Sequence, residues 1–164
     1  MPKPQTSFGF TLIELLIVLV IIMVIVSITI PNYFGLQNRA RDERRKADIA
    51  TLVRAMELYK AENSHYPEGI PNSARNDWSD SDLSPKDYIQ KFGTFTDGSL
   101  PVDPLNNGTY HYSYQLFEGG GFGCTKTFYI LGIKKFEKDP KIAGWKCPQK
   151  DFGMEFDWVV GGFE

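Results

Sequence analysis

The chain has 164 residues, a formal net charge of −2, 42% hydrophobic and 14% aromatic residues, a size that suits one folded domain with an appended segment. The near-balanced charge excludes the broad positive field of a dedicated nucleic-acid binder, and the hydrophobic residues concentrate near the start. Two cysteines, Cys124 and Cys147, invite one disulfide if the C-terminal part lies outside the cytosol and reduced thiols if it lies inside.

From Phe10 to Ile30 the chain reads FTLIELLIVLVIIMVIVSITI, interrupted only by Thr11, Glu14, Ser27 and Thr29. About 20 helical residues cross the hydrocarbon layer, so this run is long enough to span a bilayer. It exceeds a secretory h-region, and Ser27 to Pro31 offers only a poor cleavage site, so the segment is expected to stay in the mature protein. Glu14 does not fit a plain anchor. A carboxylate in an apolar layer is costly unless it is protonated, paired or near the interface. The plain alternative is a Glu at the membrane edge reaching for headgroups.

The preceding segment, MPKPQTSFG, is short and polar, carries Lys3 and ends in Gly9 directly before Phe10. Gly9-Phe10-Thr11-Leu12-Ile13-Glu14-Leu15 resembles the class III signal of type IV pilins and type II secretion pseudopilins. The resemblance implies that a prepilin peptidase cuts between Gly9 and Phe10 on the cytoplasmic side and N-methylates Phe10. It also implies a single-pass precursor in the cytoplasmic (inner) membrane, then an extracytoplasmic filament at the cell surface or in the periplasm. The implied partners are further copies of the chain, other pilins or pseudopilins, the peptidase, an inner-membrane assembly platform and the membrane itself. Physics then gives Glu14 a partner: the freed Phe10 amine of a neighbouring subunit, attracted strongly in an apolar medium.

Pro31 removes a helix hydrogen bond at the outer end of the apolar run and predicts a kink or local loosening there, beside the β-branched stretch Val24 to Ile30. Beyond it, Ile49, Leu52, Val53 and Met56 form a helical stripe that can pack on a domain. Arg39, Arg41, Arg44, Arg45 and Lys46 alternate with Asp42, Glu43 and Asp48, a pattern that reads as a solvated face with local ion pairs. The positive-inside rule alone would put this cluster in the cytoplasm, whereas the more specific processing motif puts it outside.

The helix is expected to end near Asn63, where Asn63-Ser64-His65-Tyr66-Pro67 holds turn formers and a proline. A proline-broken polar region follows to Pro104, punctuated by Pro71, Pro85 and Pro101, with a short helix expected around Pro85 to Phe92. Strands are expected over 109–116, 127–136 and 154–160, the first two joined by a flexible glycine-rich connection, Glu118 to Gly123. Pro101-Val102-Asp103-Pro104 followed by Tyr110 and Tyr112 resembles the Asp-Pro then Tyr-x-Tyr segment of major pseudopilins. The fold class is therefore α+β and pilin-like, a long N-terminal helix packed by its C-terminal half on a small antiparallel sheet. The chain divides into a leader (1–9), a transmembrane assembly helix (10–31), an amphipathic continuation (32–63) and a globular head (64–164).

Other chemistry finds little support. His65 and His111 belong to no zinc spacing or nucleophile triad, so the chain is not expected to be an enzyme. Asp77, Asp80 and Asp82 invite calcium, but an EF-hand loop from Asp80 would need Gly where Pro85 stands and Glu where Lys91 stands. Major pseudopilins often bind calcium in a C-terminal loop. Asp151 and Asp157 lie in the comparable region and are weak calcium candidates, since their pattern does not clearly match the ligand set; no cofactor is expected, with calcium there as the open alternative. Gly119 to Gly121 lack the Lys-Ser/Thr ending of a P-loop, and Asn107-Gly108-Thr109 fits a glycosylation sequon. Lys134, Lys135, Lys138, Lys141 and Lys146 form a loose basic region whose plain role is to protect an edge strand. The leading function is a filament subunit of a type IV pilus or type II secretion pseudopilus. The Asp-Pro and Tyr-x-Tyr segment leans toward the pseudopilus and the cysteine pair toward the pilus. The alternative is a non-polymerising, membrane-anchored extracytoplasmic ligand-binding protein.

Overall fold

The structure, a computed structural model, describes residues 9–70, 75, 77–96, 98–142 and 144–164, with the side chains at 29–32 and 34 set aside. The leader through Phe8 and Pro71 lie outside the described residues. The chain divides into two compact units, Met1–Gln37 and Asn38–Glu164.

Helix α1 (Leu12–Asn63) is assigned without interruption through Pro31. In the first unit its apolar side chains are exposed throughout, from Leu12 at 81% to Ile28 at 65%. Among the described residues no helix is long and apolar enough to cross a membrane; the described side chains of the apolar run stop at Ile28. The helix ends as the sequence predicts. Ser64 takes the left-handed conformation (φ 65°) and its N–H donates to the Lys60 carbonyl at 2.8 Å, closing the last turn.

In the second unit, β1 (Ser79–Asp80), β2 (Tyr112–Phe117), β3 (Phe128–Ile133) and β6 (Trp158–Phe163) form an antiparallel sheet in the order β1-β2-β3-β6. A two-stranded hairpin, β4 (Lys146–Cys147) with β5 (Lys150–Asp151), stands apart. Strand β3 is central and buried at every position, which explains its unbroken apolar run where a half-exposed strand would alternate. Tyr129, Leu131 and Ile133 face Ile49, Leu52, Met56 and Tyr59 of α1 in one core cluster. Phe128 and Ile130 face Trp78, Phe152, Phe156 and Val159 in the other. The helical stripe read from sequence is therefore the buried face, with Val53 partly buried at its edge.

Three local expectations are corrected. The segment from Pro85 to Phe92 forms turns; Ile89 bridges to Gly69, and the short helix lies later, at Gly93–Phe95. Strand β2 starts at Tyr112 because the Asn107 side chain accepts from the N–H groups of Thr109 and Tyr110 at 3.0 and 3.1 Å, holding that stretch in a turn. The glycine-rich connection is tied rather than loose: Gly121 and Cys124 exchange backbone bonds at 2.9 Å, and Gly119 N–H donates to Thr127 Oγ1 at 3.0 Å.

Candidate functional site

The processing motif sits at the start of α1. Gly9 and Phe10 are non-helical and exposed, Phe10 at 85%, so the Gly9–Phe10 bond lies in the open backbone that a peptidase requires. Thr11 and Glu14 form a reciprocal cap. Thr11 N–H and Oγ1 donate to Glu14 Oε2 at 2.9 and 2.7 Å, and Glu14 N–H donates to Thr11 Oγ1 at 3.3 Å. This is a Ser/Thr-x-x-Glu box, which satisfies orphan donors at a helix start. Both incoming bonds fall on Oε2. Glu14 Oε1 has no partner among the described residues, so one carboxylate oxygen is fixed in direction and left open at the end of an apolar helix.

In the second unit the charged run is solvated only in part: Arg39, Glu43 and Arg44 are exposed, and Glu43–Lys46 and Arg44–Asp48 are local ion pairs of the expected kind. Arg45 and Asp42 are fully buried, and Arg45 meets three carboxylates. It holds Asp103 through two bonds (Nε to Oδ2 2.6 Å, Nη2 to Oδ1 2.9 Å), and its Nη1 reaches Asp42 at 2.7 Å and Glu137 at 3.0 Å. Its guanidinium carbon also lies 5.0 Å from the Tyr110 ring centroid, a cation–π contact. Arg41 grips Glu137 with two bonds of 2.6 Å, and Lys46 lies 2.5 Å from Asp139. Local sequence shows only the Asp42–Arg45 spacing; Asp103 and Glu137 are far away in the chain.

Asp42 is the reason the loop after β3 has its shape. Its oxygens accept from the N–H groups of Glu137, Lys138 and Asp139 at 2.8 to 3.2 Å. Burial alone would raise this carboxyl, but those three N–H donors and Arg45 outweigh it and hold the carboxyl below its ordinary range. Glu137 is lowered chiefly by its bond to Arg41, against burial and with help from Arg45. Asp48 goes the other way. Burial raises it, while a bond from Tyr112 Oη at 2.9 Å and the charge of Arg44 pull it back in part.

Cys124 and Cys147 are joined by a disulfide that pins the β2–β3 connection to the β4–β5 hairpin. Around it pack Phe117, Phe122, Phe128, Trp145 and Phe152. Of the two weak calcium candidates, Asp151 accepts through Oδ1 from Gly153 N–H at 2.9 Å and Asp157 through Oδ2 from Phe136 N–H at 2.8 Å. Among the described residues the acidic group compact enough for one ion is Asp80, Asp82 and His111. There Arg75 already bridges the two carboxylates at 2.9 to 3.1 Å, an arrangement that does not fit a cation.

Residues 5–30 match the family model for the prokaryotic N-terminal methylation motif, and residues 32–122 match that for type II secretion system (T2SS), protein G. The chain is similar to the type II secretion system core protein G of Klebsiella michiganensis, 38% identical over 90% of this chain and 99% of the relative. It is also similar to that of Pectobacterium carotovorum subsp. carotovorum (39%, covering 87% and 86%) and that of Aeromonas hydrophila (29%, covering 93% and 99%). No solved structure matches the chain. The methylation motif, the helix-on-sheet head and relatives matched over nearly their whole length agree, and the chain belongs to the type II secretion system protein G family.

Proposed function

We propose that this chain is a structural subunit of a type II secretion pseudopilus, without catalytic activity of its own, released from its leader by hydrolysis of the Gly9–Phe10 bond. One water adds across that peptide bond, leaving a carboxylate on Gly9 and a free amine on Phe10, to which the peptidase then transfers a methyl group from a methyl donor. The observation that carries the reading is the capped Glu14 with one open carboxylate oxygen at the start of a helix whose large apolar side chains from Leu12 to Ile28 are exposed. That oxygen is poised for the Phe10 amine of a neighbouring subunit, and the exposed apolar side chains call for lipid before assembly and for other helices after it.

The same reading has the precursor held in the inner membrane with its head outside the cytoplasm. The ion network supports this topology. Arg41, Arg44, Arg45 and Lys46 each have a carboxylate partner, so they are poor evidence for anchoring at a cytoplasmic leaflet. The disulfide suits an oxidising compartment. We further infer that the C-terminal loop is held without calcium: Glu137, Asp139, Asp151, Glu155 and Asp157 each take an N–H donor or a cation from the chain itself.

Mass spectrometry of the mature N-terminus tests the processing, with methyl-Phe10 expected and an intact Met1 contradicting it. Glu14→Ala is expected to leave membrane insertion unchanged and to abolish filaments. Normal filament yield from that variant would overturn the pairing.

A further inference from the structure

The lysine-rich stretch after β3 and two adjoining clefts of the head play no part in the assembly helix, and their charges are complementary. Lys134, Lys135, Lys138 and Lys141 are exposed. The two acids among them are engaged within the subunit, Glu137 by Arg41 and Arg45 and Asp139 by Lys46. Lys134 lies 5.1 Å from the centre of the Phe156 ring, and none of the four is paired with a carboxylate among the described residues. The stretch is thus a cationic ridge whose own acids face inward.

The clefts have the opposite character. One, of about 420 Å³, has Glu68, Asp77 and Glu118 in its walls with Gln90 and Gln115. The other, of about 310 Å³, shares Glu68, Leu116 and Glu118 and adds Glu164. Glu164 is occupied by Tyr66 N–H at 3.1 Å. The nearby cation, Lys60, donates to the Phe163 carbonyl at 2.8 Å and lies over the Tyr66 ring. Glu68, Asp77 and Glu118 have exposed side chains with no hydrogen bond or ion pair among the described residues. Leu116 forms an apolar floor shared by both clefts, on which the methylenes of a lysine can lie while its ammonium reaches the carboxylates.

We propose that the lysine ridge 134–141 of one subunit docks into the carboxylate-walled clefts of a second copy of this chain, forming a head contact of the filament. The proposal rests on the filament reading above and names a surface which that reading leaves open. Two ridges would repel each other, and so would two clefts, so a two-fold contact between like patches is disfavoured. A ridge meeting a cleft joins two different patches, and such a contact, repeated head to tail, builds a ring where the rotation closes and an open helical array where it does not. Exposed charges of this kind set register and association rate more than raw affinity, which complements an apolar helix that supplies burial but little register.

The test uses the full chain in cells that assemble it into surface filaments. Sheared filaments are treated with a zero-length carbodiimide, which joins only a carboxylate and an amine in direct contact, and the cross-links are mapped by mass spectrometry. Links between Glu68, Asp77 or Glu118 and Lys134, Lys135, Lys138 or Lys141 of another subunit are expected; filaments whose inter-subunit links all lie elsewhere overturn the proposal. In parallel, Glu68→Lys with Glu118→Lys is expected to lose filaments while keeping the melting temperature of the head. Adding Lys134→Glu and Lys138→Glu is expected to restore them. Filaments of normal yield from the double lysine variant, beside none from Glu14→Ala, overturn the head contact and leave the filament reading standing. No filaments from the unaltered chain would overturn the filament reading itself.

Discussion

Arg45 and Asp103 face each other through two parallel bonds of 2.6 and 2.9 Å, with both side chains fully excluded from solvent. Asp103 also accepts from Leu105 N–H at 2.8 Å, so the same carboxylate that anchors the helix shapes the turn leading toward β2. Removing Asp103 leaves two donors of the buried Arg45, Nε and Nη2, without an acceptor, with Asp42 and Glu137 still on Nη1. Asp103→Ala is therefore expected to cost about 3–5 kcal/mol, read as a lowered urea midpoint with an unchanged slope. A loss near that of an ordinary surface substitution would show that the pair is not buried in solution.

Acid should loosen the head in a defined direction. Asp42 and Glu137 titrate lower in the fold than in the unfolded chain. Their stabilisation is therefore present above the ordinary carboxylate range and is lost as pH falls through and below it. Asp48, raised by burial, has the opposite sign and favours the fold as pH falls. Melting temperatures measured between about pH 7 and about pH 2 should drop on the acid side. Asp42→Asn and Glu137→Gln should flatten that limb and Asp48→Asn should steepen it. Parallel limbs for all three variants would contradict the assignment.

The disulfide closes a loop with a sequence separation of 23, and the chain-entropy estimate for a loop of that size is about 3 kcal/mol. Cys124→Ser with Cys147→Ser, or reduction of the unaltered chain, should lower stability by that order. Near-UV circular dichroism should also weaken, because the aromatic rings packed about the bond lose their fixed environment. Reduction that left both signals unchanged would place the bond outside the cooperative unit.

Gly132 lies in the centre of β3, paired with Ser113 on one side and Val159 on the other. A methyl group there would meet the Phe156 ring at 2.6 to 3.0 Å. Gly132→Ala should therefore cost about 1–3 kcal/mol as overpacking, and Gly132→Ala with Phe156→Leu should recover part of it. An unfolding curve like that of the unaltered chain would show that the ring has room to move.

Tyr112 offers a smaller and separable effect. Its hydroxyl donates to the half-buried Asp48 at 2.9 Å, while Arg44 stands 3.7 Å from the same carboxylate, so Tyr112→Phe removes the shorter of its two contacts. The expected cost is about 1–3 kcal/mol, and Asp48→Asn in the same chain should reduce it. Additive losses from the two changes would mean that the groups do not interact.

The helical stripe and the central strand were legible because burial writes itself into local pattern: Ile49, Leu52 and Met56 recur at helical spacing, and Phe128 to Leu131 form an unbroken apolar run. The leader motif was legible because a glycine, a phenylalanine and an acid stand at fixed spacing. Of the two leanings left open by the sequence, Asp103 before Pro104 with Tyr110 and Tyr112 pointed to the family that the comparisons show, and the cysteine pair pointed away from it. The ion network was not legible. Arg45 resembles its neighbours Arg44 and Lys46 in sequence, and only the fold brings Asp103 and Glu137 to it. Strand β1 escaped notice because two residues, Ser79 and Asp80, carry no periodicity; their pairing with β2 defines them. The Pro85 to Phe92 segment misled because Tyr88, Ile89 and Phe92 are buried as a knot of turns, at a spacing that a helix could also have used.

Every ion pair described in the molecule lies beyond Gln37, although the helix runs on without a break. A soluble fragment beginning at Asn38 would keep Asp42 and Arg45 and with them the shape of the loop at 137–139. One beginning after Arg45 would keep the whole apolar stripe of the helix and still lose that loop. The point at which the head ceases to be self-sufficient is thus set by a carboxylate and a guanidinium, one helical turn apart, and not by where the grease ends.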